Sequence, residues 1–438
     1  MRKFFVCAGL ALAGTTSLQA AYAPDLNQME TAKLWSVSGT LRGFYDDNYN
    51  TAPAGPAKRN SFGFEVSPSV SLNVPLQQTE LGLKYTYGLY YYQDREQING
   101  RPIDQTHQLD LWVDHAFTER WSTKVQDTLA VGQEPELISG SGAASVLQRV
   151  EGNNVHNMGA ISLDTQWTRL LGTELSYQNN FYDYQNSGGN GSQIGNSASL
   201  AGLLNRLEHN ISLNVNWRLQ PTLLAFVGYQ YGQVNFTGNE IISGFPATLG
   251  PTTHSNNRDS RSQYGYLGAQ YNPLDNLILA GQAGIQYADY YNPVPGTPST
   301  SQVSPYAKLS GTYTYLPGSY VQLGFTQSRN ATSVVAPTAS GKVTEDEESS
   351  VVYGALNHQF SPRLIGSLTG QIQYSTFNGG AVDGLSQTWY QAGINLAYIF
   401  NQHVSAEIGY NYDDVSSAGA FSPGYERNRV YLGVTGTY

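Results

Sequence analysis

Residues 62–74 read FGFEVSPSVSLNV. Taken alternately, they split into Phe62, Phe64, Val66, Pro68, Val70, Leu72 and Val74 on one face and Gly63, Glu65, Ser67, Ser69, Ser71 and Asn73 on the other. A period of two sustained this long marks a strand with one apolar and one polar face, not a helix. Residues 389–400, WYQAGINLAYIF, repeat the pattern: Tyr390, Ala392, Ile394, Leu396, Tyr398 and Phe400 alternate with Gln391, Gly393 and Asn395. Strands of soluble sheets usually run about five or six residues. These are longer, and suit the span of about ten residues that a tilted strand needs to cross a bilayer.

Outward from these segments the chain repeats. Short turn-like stretches recur every 40 to 54 residues, as FTERW, WTRLLGT, WRLQPT, YNPLDN, YLPGSY, FSPR and FNQH. Each opens on an aromatic residue: Phe117, Trp167, Trp217, Tyr271, Tyr315, Phe360 and Phe400. An earlier turn, VPLQQT, has Val74 in that place. The seven aromatics share parity with the apolar face of the strand they end, which predicts a periplasmic aromatic girdle at one membrane interface. Longer polar or glycine-rich connections join the other strand ends. A propeller also repeats at about 40–50 residues, but its blades need four short strands where each unit here has two long ones. The fold expected is all-β, a single closed antiparallel transmembrane β-barrel. One strand near 33–48, eight hairpins and a last strand near 425–438 make eighteen, or sixteen if a weak pair around 148–185 is misread.

The first residues point to the compartment. MRK, then FFVCAGLALAG, then TTSLQAAYA form a basic, an apolar and a small-residue segment, the layout of a secretory signal over 1–20. Cleavage is expected after Ala20, since a cut after Ala23 would leave Pro24 leading the chain. A periplasmic lead over 21–32 would follow, with the barrel over 33–438. The single cysteine, Cys7, lies in that signal, so the exported chain has no thiol, disulfide or cysteine metal site. Losing Arg2 and Lys3 takes the formal charge from −10 to −12, which argues against nucleic acid as a partner. Nothing later is long and apolar enough for a membrane helix, so only a closed barrel would cross.

The final residues, RNRVYLGVTGTY, put Val430, Leu432, Val434 and Tyr438 on the apolar face of a closing strand that must pair with the first. This ending resembles the C-terminal signal read by the outer-membrane assembly machinery, with Gly433 and the aromatic Tyr438 in the expected places. Gly436 departs from it, standing where a hydrophobic or aromatic residue is usual. The stretches FGFEVSPSVSLNVPL, LGLKYTYGLYYYQDR, DQTHQLDLWVDHAFTERW and RVEGNNVHNMGAISLDTQWTRL resemble the putative beta-barrel porin 2 family of Gram-negative outer membranes. The likeness is sharpest over residues 38–185. It implies an outer-membrane barrel and carries over no site residues. Porins of this kind are commonly trimers, so a homotrimer is a possible assembly.

A barrel this wide encloses a water-filled channel unless it is plugged. Parity assigns Arg42, Glu65, Lys84, Asp110, Asp114, Lys124, Asp164, Arg206, Glu208, Lys308, Glu407 and Arg429 to the lumen, six basic and six acidic. A strongly selective pore would carry a one-sided ring of charge, so the balance predicts weak selectivity among small hydrophilic solutes. Tyr90, Tyr92 and Trp112 share lumen parity, and aromatic faces stack on sugars, which keeps a sugar-selective porin open as an alternative. A structural or plugged barrel is another. Glu345, Asp346, Glu347 and Glu348 read as a solvated loop at the outer mouth. Asp127 falls on the lipid face by simple parity, so a bulge or register shift is expected there, one that would also unsettle Lys124. An outer-membrane hydrolase is the rival class. The histidines at 107, 115, 156, 209, 254, 358 and 403 are dispersed, without metal-site spacing. His115, His209 and His358 share lipid-face parity, yet no serine and polar orienter complete a site beside them. No cofactor is expected.

Overall fold

The computed structural model describes residues 33–95, 102–132, 153–185, 193–194, 197–243, 252–332, 334–336, 338, 341–417 and 424–438. The expected signal peptide and lead lie outside the described residues. The first nine barrel strands are β1 (Trp35–Asp46), β2 (Ser61–Pro75), β3 (Thr79–Tyr92), β4 (Ile103–Thr118), β5 (Trp121–Gly132), β6 (Asn154–Gln166), β7 (Leu171–Tyr184), β8 (Arg206–Gln220) and β9 (Leu223–Phe236). The second nine are β10 (Ser260–Leu274), β11 (Leu277–Tyr290), β12 (Thr300–Leu316), β13 (Ser319–Asn330), β14 (Thr344–Ser361), β15 (Leu364–Gly379), β16 (Ser386–Asn401), β17 (Val404–Ser417) and β18 (Tyr425–Thr437).

They form one 18-stranded sheet in which each strand pairs antiparallel with its chain neighbours. The sheet closes on itself where β18 pairs with β1, from Ser38↔Thr437 to Asp46↔Arg429. Beyond that ladder, Tyr438 N donates to Val37 O at 2.8 Å and Val37 N donates to Tyr438 O at 3.1 Å. The Tyr438 ring lies 5.8 Å from Trp35. Closure leaves no edge strand, the condition for a sheet to sit in hydrocarbon.

The large exposed apolar side chains lie on the outer face of the strands, among them Leu267, Val303, Leu323, Leu368 and Leu432. Such exposure would be a liability in water; facing lipid it is the expected apolar band. Phe117, Trp167, Trp217, Tyr271, Phe360 and Phe400 are exposed at the short-turn end. Tyr315, the seventh, stacks on His358.

The inner face gives some of the chain's glycines a packing role. At six places an inward aromatic ring lies flat on a glycine directly opposite it in the ladder. The pairs are Phe44 on Gly63, Trp112 on Gly82, Tyr266 on Gly228, Phe226 on Gly268, Tyr353 on Gly324 and Tyr431 on Gly409. A Cβ on Gly82 would sit 1.8 Å from the Trp112 ring, and one on Gly324 would sit 2.0 Å from Tyr353. Covering glycine with a cross-strand aromatic restores the buried area that the glycine lacks. It also holds the ring against the wall instead of across the lumen.

We expect Gly82→Val to force Trp112 off the wall and cost about 1–3 kcal/mol. Gly265→Ala, whose added Cβ meets nothing within 4 Å, should leave stability unchanged. The temperature at which the folded band is lost on semi-native electrophoresis distinguishes the two.

Candidate functional site: the lumen and its outer mouth

Inward alternation brings charged residues from distant stretches into contact. Arg42 on β1 donates from Nη1 to Glu65 on β2 at 2.8 Å, and from Nε and Nη2 to Glu407 on β17 at 3.0 and 2.6 Å. Its guanidinium also lies 4.8 Å from the Tyr431 ring. One turn of side chains higher, Arg427 and Arg429 of β18 both bond Asp46, whose carboxylate is fully buried. Arg95 bonds both oxygens of Asp104 at 2.6 Å, and Arg206 bonds Glu208 at 2.6 Å. Lys84 and Lys124 stand directly opposite Asp110 and Asp114. Lys308 faces Gln282 and Thr326 across its two ladders, not an acid. Pairing of this kind spends most of the charge within the wall.

One sector departs from balance. On β3–β7 the inner face carries Glu80, Asp110, Asp114, Asp164 and Glu174 against Lys84 and Lys124. Asp164 stands directly opposite Glu174, and Glu80 opposite Asp114. Like charges facing each other across a ladder repel, and in this sector the acids outnumber the bases.

The outer mouth is narrowed by the wall itself. β12 pairs with β11 from Leu277↔Tyr313 up to Tyr290↔Thr300, but β13 follows it only up to Ala307↔Gln327. Above that point β13 turns inward with β14 beside it. Gln286, on the inner face of β11, accepts from Arg329 N at 2.8 Å and donates to Arg329 O at 3.2 Å. Arg329 donates to Asp346 at 2.9 Å and Glu348 at 3.3 Å, and Tyr290 donates its hydroxyl to Asp346. Thr332 donates to Glu347 at 3.1 Å. The acidic run 345–348 is therefore not a solvated loop. It begins β14; Asp346 is buried against Tyr290 of β11 and Arg329 of β13, and Glu347 under Thr332 and against Gln373 and Ser375 of β15.

Arg258, 1% exposed, ties three loops together over this fold. It donates to Thr332 O at 2.9 Å and to Leu203 O at 2.5 Å, and stacks 4.0 Å from the Phe236 ring. Thr253 adds a bond to Gly341 O at 2.9 Å. Beside Arg258, the Asp259 carboxylate accepts from Phe236 N at 2.8 Å.

Alternation could not find Arg258, Arg329, Asp46 or Arg427, since they sit at strand tops or in loops where period two stops. Nor did it reveal the aromatic packing. Tyr92 is 1% exposed, locked among Phe44, Tyr49 and Tyr431 with Arg95 over its ring. It offers no free face to a sugar.

The Asp127 expectation is corrected. Pairing of β5 with β6 is continuous, and its pairing with β4 shifts only between Ala116 and Thr118. No bulge rescues Asp127; it faces outward, where Asn157 donates to it at 3.1 Å. Lys124 faces inward opposite Asp114. Outward histidines are tied to hydroxyls, His107 to Tyr85, His115 to Thr79, His209 to Tyr177 and His358 to Tyr315, each at 2.8 Å. Rings anchored in this way suit the two membrane interfaces. Among the described residues no group of three or more metal-ligating side chains gathers.

A closed, outward-apolar barrel with a polar, charge-paired interior defines an outer-membrane channel of the porin class. The chain belongs to the family described as putative beta-barrel porin 2, whose family model matches residues 36–438. No curated protein matches it in sequence. Among solved structures it is similar to OccAB4 of Acinetobacter baumannii, at 12% identity and a TM-score of 0.43, covering 93% of this chain and 99% of that one. OpdK of Pseudomonas aeruginosa gives 9% identity and a TM-score of 0.43, covering 93% and 100%. OccK2 of the same organism, solved with glucuronate, gives 11% and 0.44, covering 92% and 98%.

Burial pushes the Asp259 carboxyl up to about 6, against the Phe236 amide and the Arg258 charge, which pull it down. A raised acid pKa means that the packed mouth binds the proton more tightly than a released loop would. The packed arrangement therefore gains stability as pH falls through 6 toward 3.8, and gains nothing further below that. Conductance is expected to drop when the outer bath goes from pH 7 to 5, and Asp259→Asn should reduce that dependence.

Proposed function

We propose that this chain is a passive outer-membrane diffusion channel for small hydrophilic solutes, restricted at its outer mouth and weakly cation-preferring. The observation that carries the preference is the Asp164↔Glu174 opposition within the acid-rich sector β3–β7. In a water-filled lumen such a sector raises the local cation concentration without binding a cation tightly. The channel-lining residues in this reading are Arg42, Glu65, Lys84, Asp110, Asp114, Lys124, Asp164, Arg206, Glu208, Lys308, Glu407 and Arg429. Solute passes them after the narrowing made by Arg258, Arg329 and Asp346. Transport down a gradient needs no cofactor and no catalytic group.

The seven turn aromatics would mark the periplasmic interface of a Gram-negative outer membrane, reached through the signal over 1–20. Gly433 and Tyr438 would be read by the assembly machinery. Self-association as a homotrimer belongs to this reading.

Planar-bilayer recording across a salt gradient tests the reading. A reversal potential of modest cation preference is expected, shifting toward zero in Asp164→Asn/Glu174→Gln, with no block by maltodextrins. Anion selectivity, or a folded barrel with no conductance, would sink it.

A further inference from the structure

The inner wall is not equally open all the way round. In an 18-stranded barrel β5–β8 stand opposite β14–β17. Seven to ten residues above the short-turn strand ends, the inward side chains Tyr353, Gln371, Gln391 and Asn411 of β14–β17 are 9%, 2%, 9% and 3% exposed. At the same height on β5–β8, Thr128, Met158, Gln178 and Ser212 are only half-buried. The buried aromatic clusters, around Tyr92, Trp389 and Tyr306, lie on the arc that runs from β9 through β18 to β3. Among the described residues, none of these clusters includes a side chain of β4–β8. The inward fold of the mouth rests on that same arc, through Gln286 of β11 and Gln373 of β15.

A permeating solute is selected only by the pore groups it can reach. On β14–β17 the polar groups are turned to one another: Gln373 donates to Ser375 at 3.0 Å, and Asn395 donates to Glu407 at 2.9 Å and to Tyr431 at 2.8 Å. The opposite wall carries a reachable carboxylate at mid-height. Asp110, eight residues above Thr118 on β4, is half-buried and accepts from Thr128 at 2.9 Å and from Gln108 at 3.0 Å. Both donors are neutral, so they orient the carboxylate without cancelling its charge. Lys84 stands opposite it in the ladder, and Asp114, four residues lower on the same face, is exposed. Resting on the channel reading, we infer that solute crosses the barrel along the wall of β4–β8, and that Asp110 is the charge that sets selectivity on this path. The buried ion pairs of Arg42 and Arg427 then shape the wall without meeting the solute.

Cysteine accessibility during planar-bilayer recording reads the path directly. In the full chain carrying Cys7→Ser, a cationic methanethiosulfonate reagent should lower the current in steps through Gln126→Cys on β5 and Gln178→Cys on β7. The same treatment should leave the current through Gln373→Cys and Gln391→Cys unchanged. Two positions on each wall keep the comparison intact if one variant loses the heat-modifiable mobility of a folded barrel. Asp110→Asn should bring the cation-to-anion permeability ratio toward one. Modification at 373 or 391 as fast as at 126 and 178 overturns the inference. So does a current through 126 and 178 that the reagent never alters, or an Asp110→Asn ratio equal to that of the unmodified chain. In each of those cases the barrel still conducts and the channel reading stands, whereas a folded barrel without current removes both.

Discussion

The whole structure depends on the main-chain ladder being closed. In hydrocarbon no water pairs a free N–H or C=O, so a sheet crosses a bilayer only when its last strand returns to its first. The β1–β18 ladder, extended by the two bonds between Val37 and Tyr438, supplies that return. Once the backbone is satisfied in this way, side chains need only sort themselves between lipid and lumen. The period of two does that sorting for every strand at once.

Where the ladder lapses, above Ala307↔Gln327, it does so toward the outer mouth. β12 runs seven residues beyond its last pair with β13, and the upper end of β13, still paired with β14, folds inward instead. Their polar groups find replacements in Gln286, Tyr290 and Arg258. The narrowing of the mouth is thus a consequence of how the one unpaired edge of β13 is satisfied. It is also where loop carbonyls, those of Thr332 and Leu203, are at hand to hold a buried arginine such as Arg258.

Two kinds of pairing then shape the lumen. Arginines bridge strands far apart in the chain, so that Arg42 joins β2 to β17, while aromatic rings fold down on glycines of the next strand. Both keep long side chains against the wall. The result is an interior lined by neutralised charge, with one acidic sector on β3–β7 where the partners run out.

The strand count and the two faces of each strand were legible in the chain because each rests on local alternation; that Arg42, Glu65 and Glu407 meet was not, since they come from three strands. The acidic run at 345–348 misled for the same reason: as a string it is a solvated loop, and only the inward fold buries it. Asp127 misled in the other direction, since parity placed it correctly and only the cost of a lipid-facing carboxylate argued for a bulge that the ladder does not contain. The sequence by itself determined an eighteen-stranded barrel and which face of each strand meets water, because side-chain direction in a strand is set by position alone. The tertiary structure alone decided which charges neutralise one another, which loops meet at Arg258 and which glycines lie under rings. Those contacts join residues from different strands, and nothing in the spacing along the chain encodes which strand tops will meet.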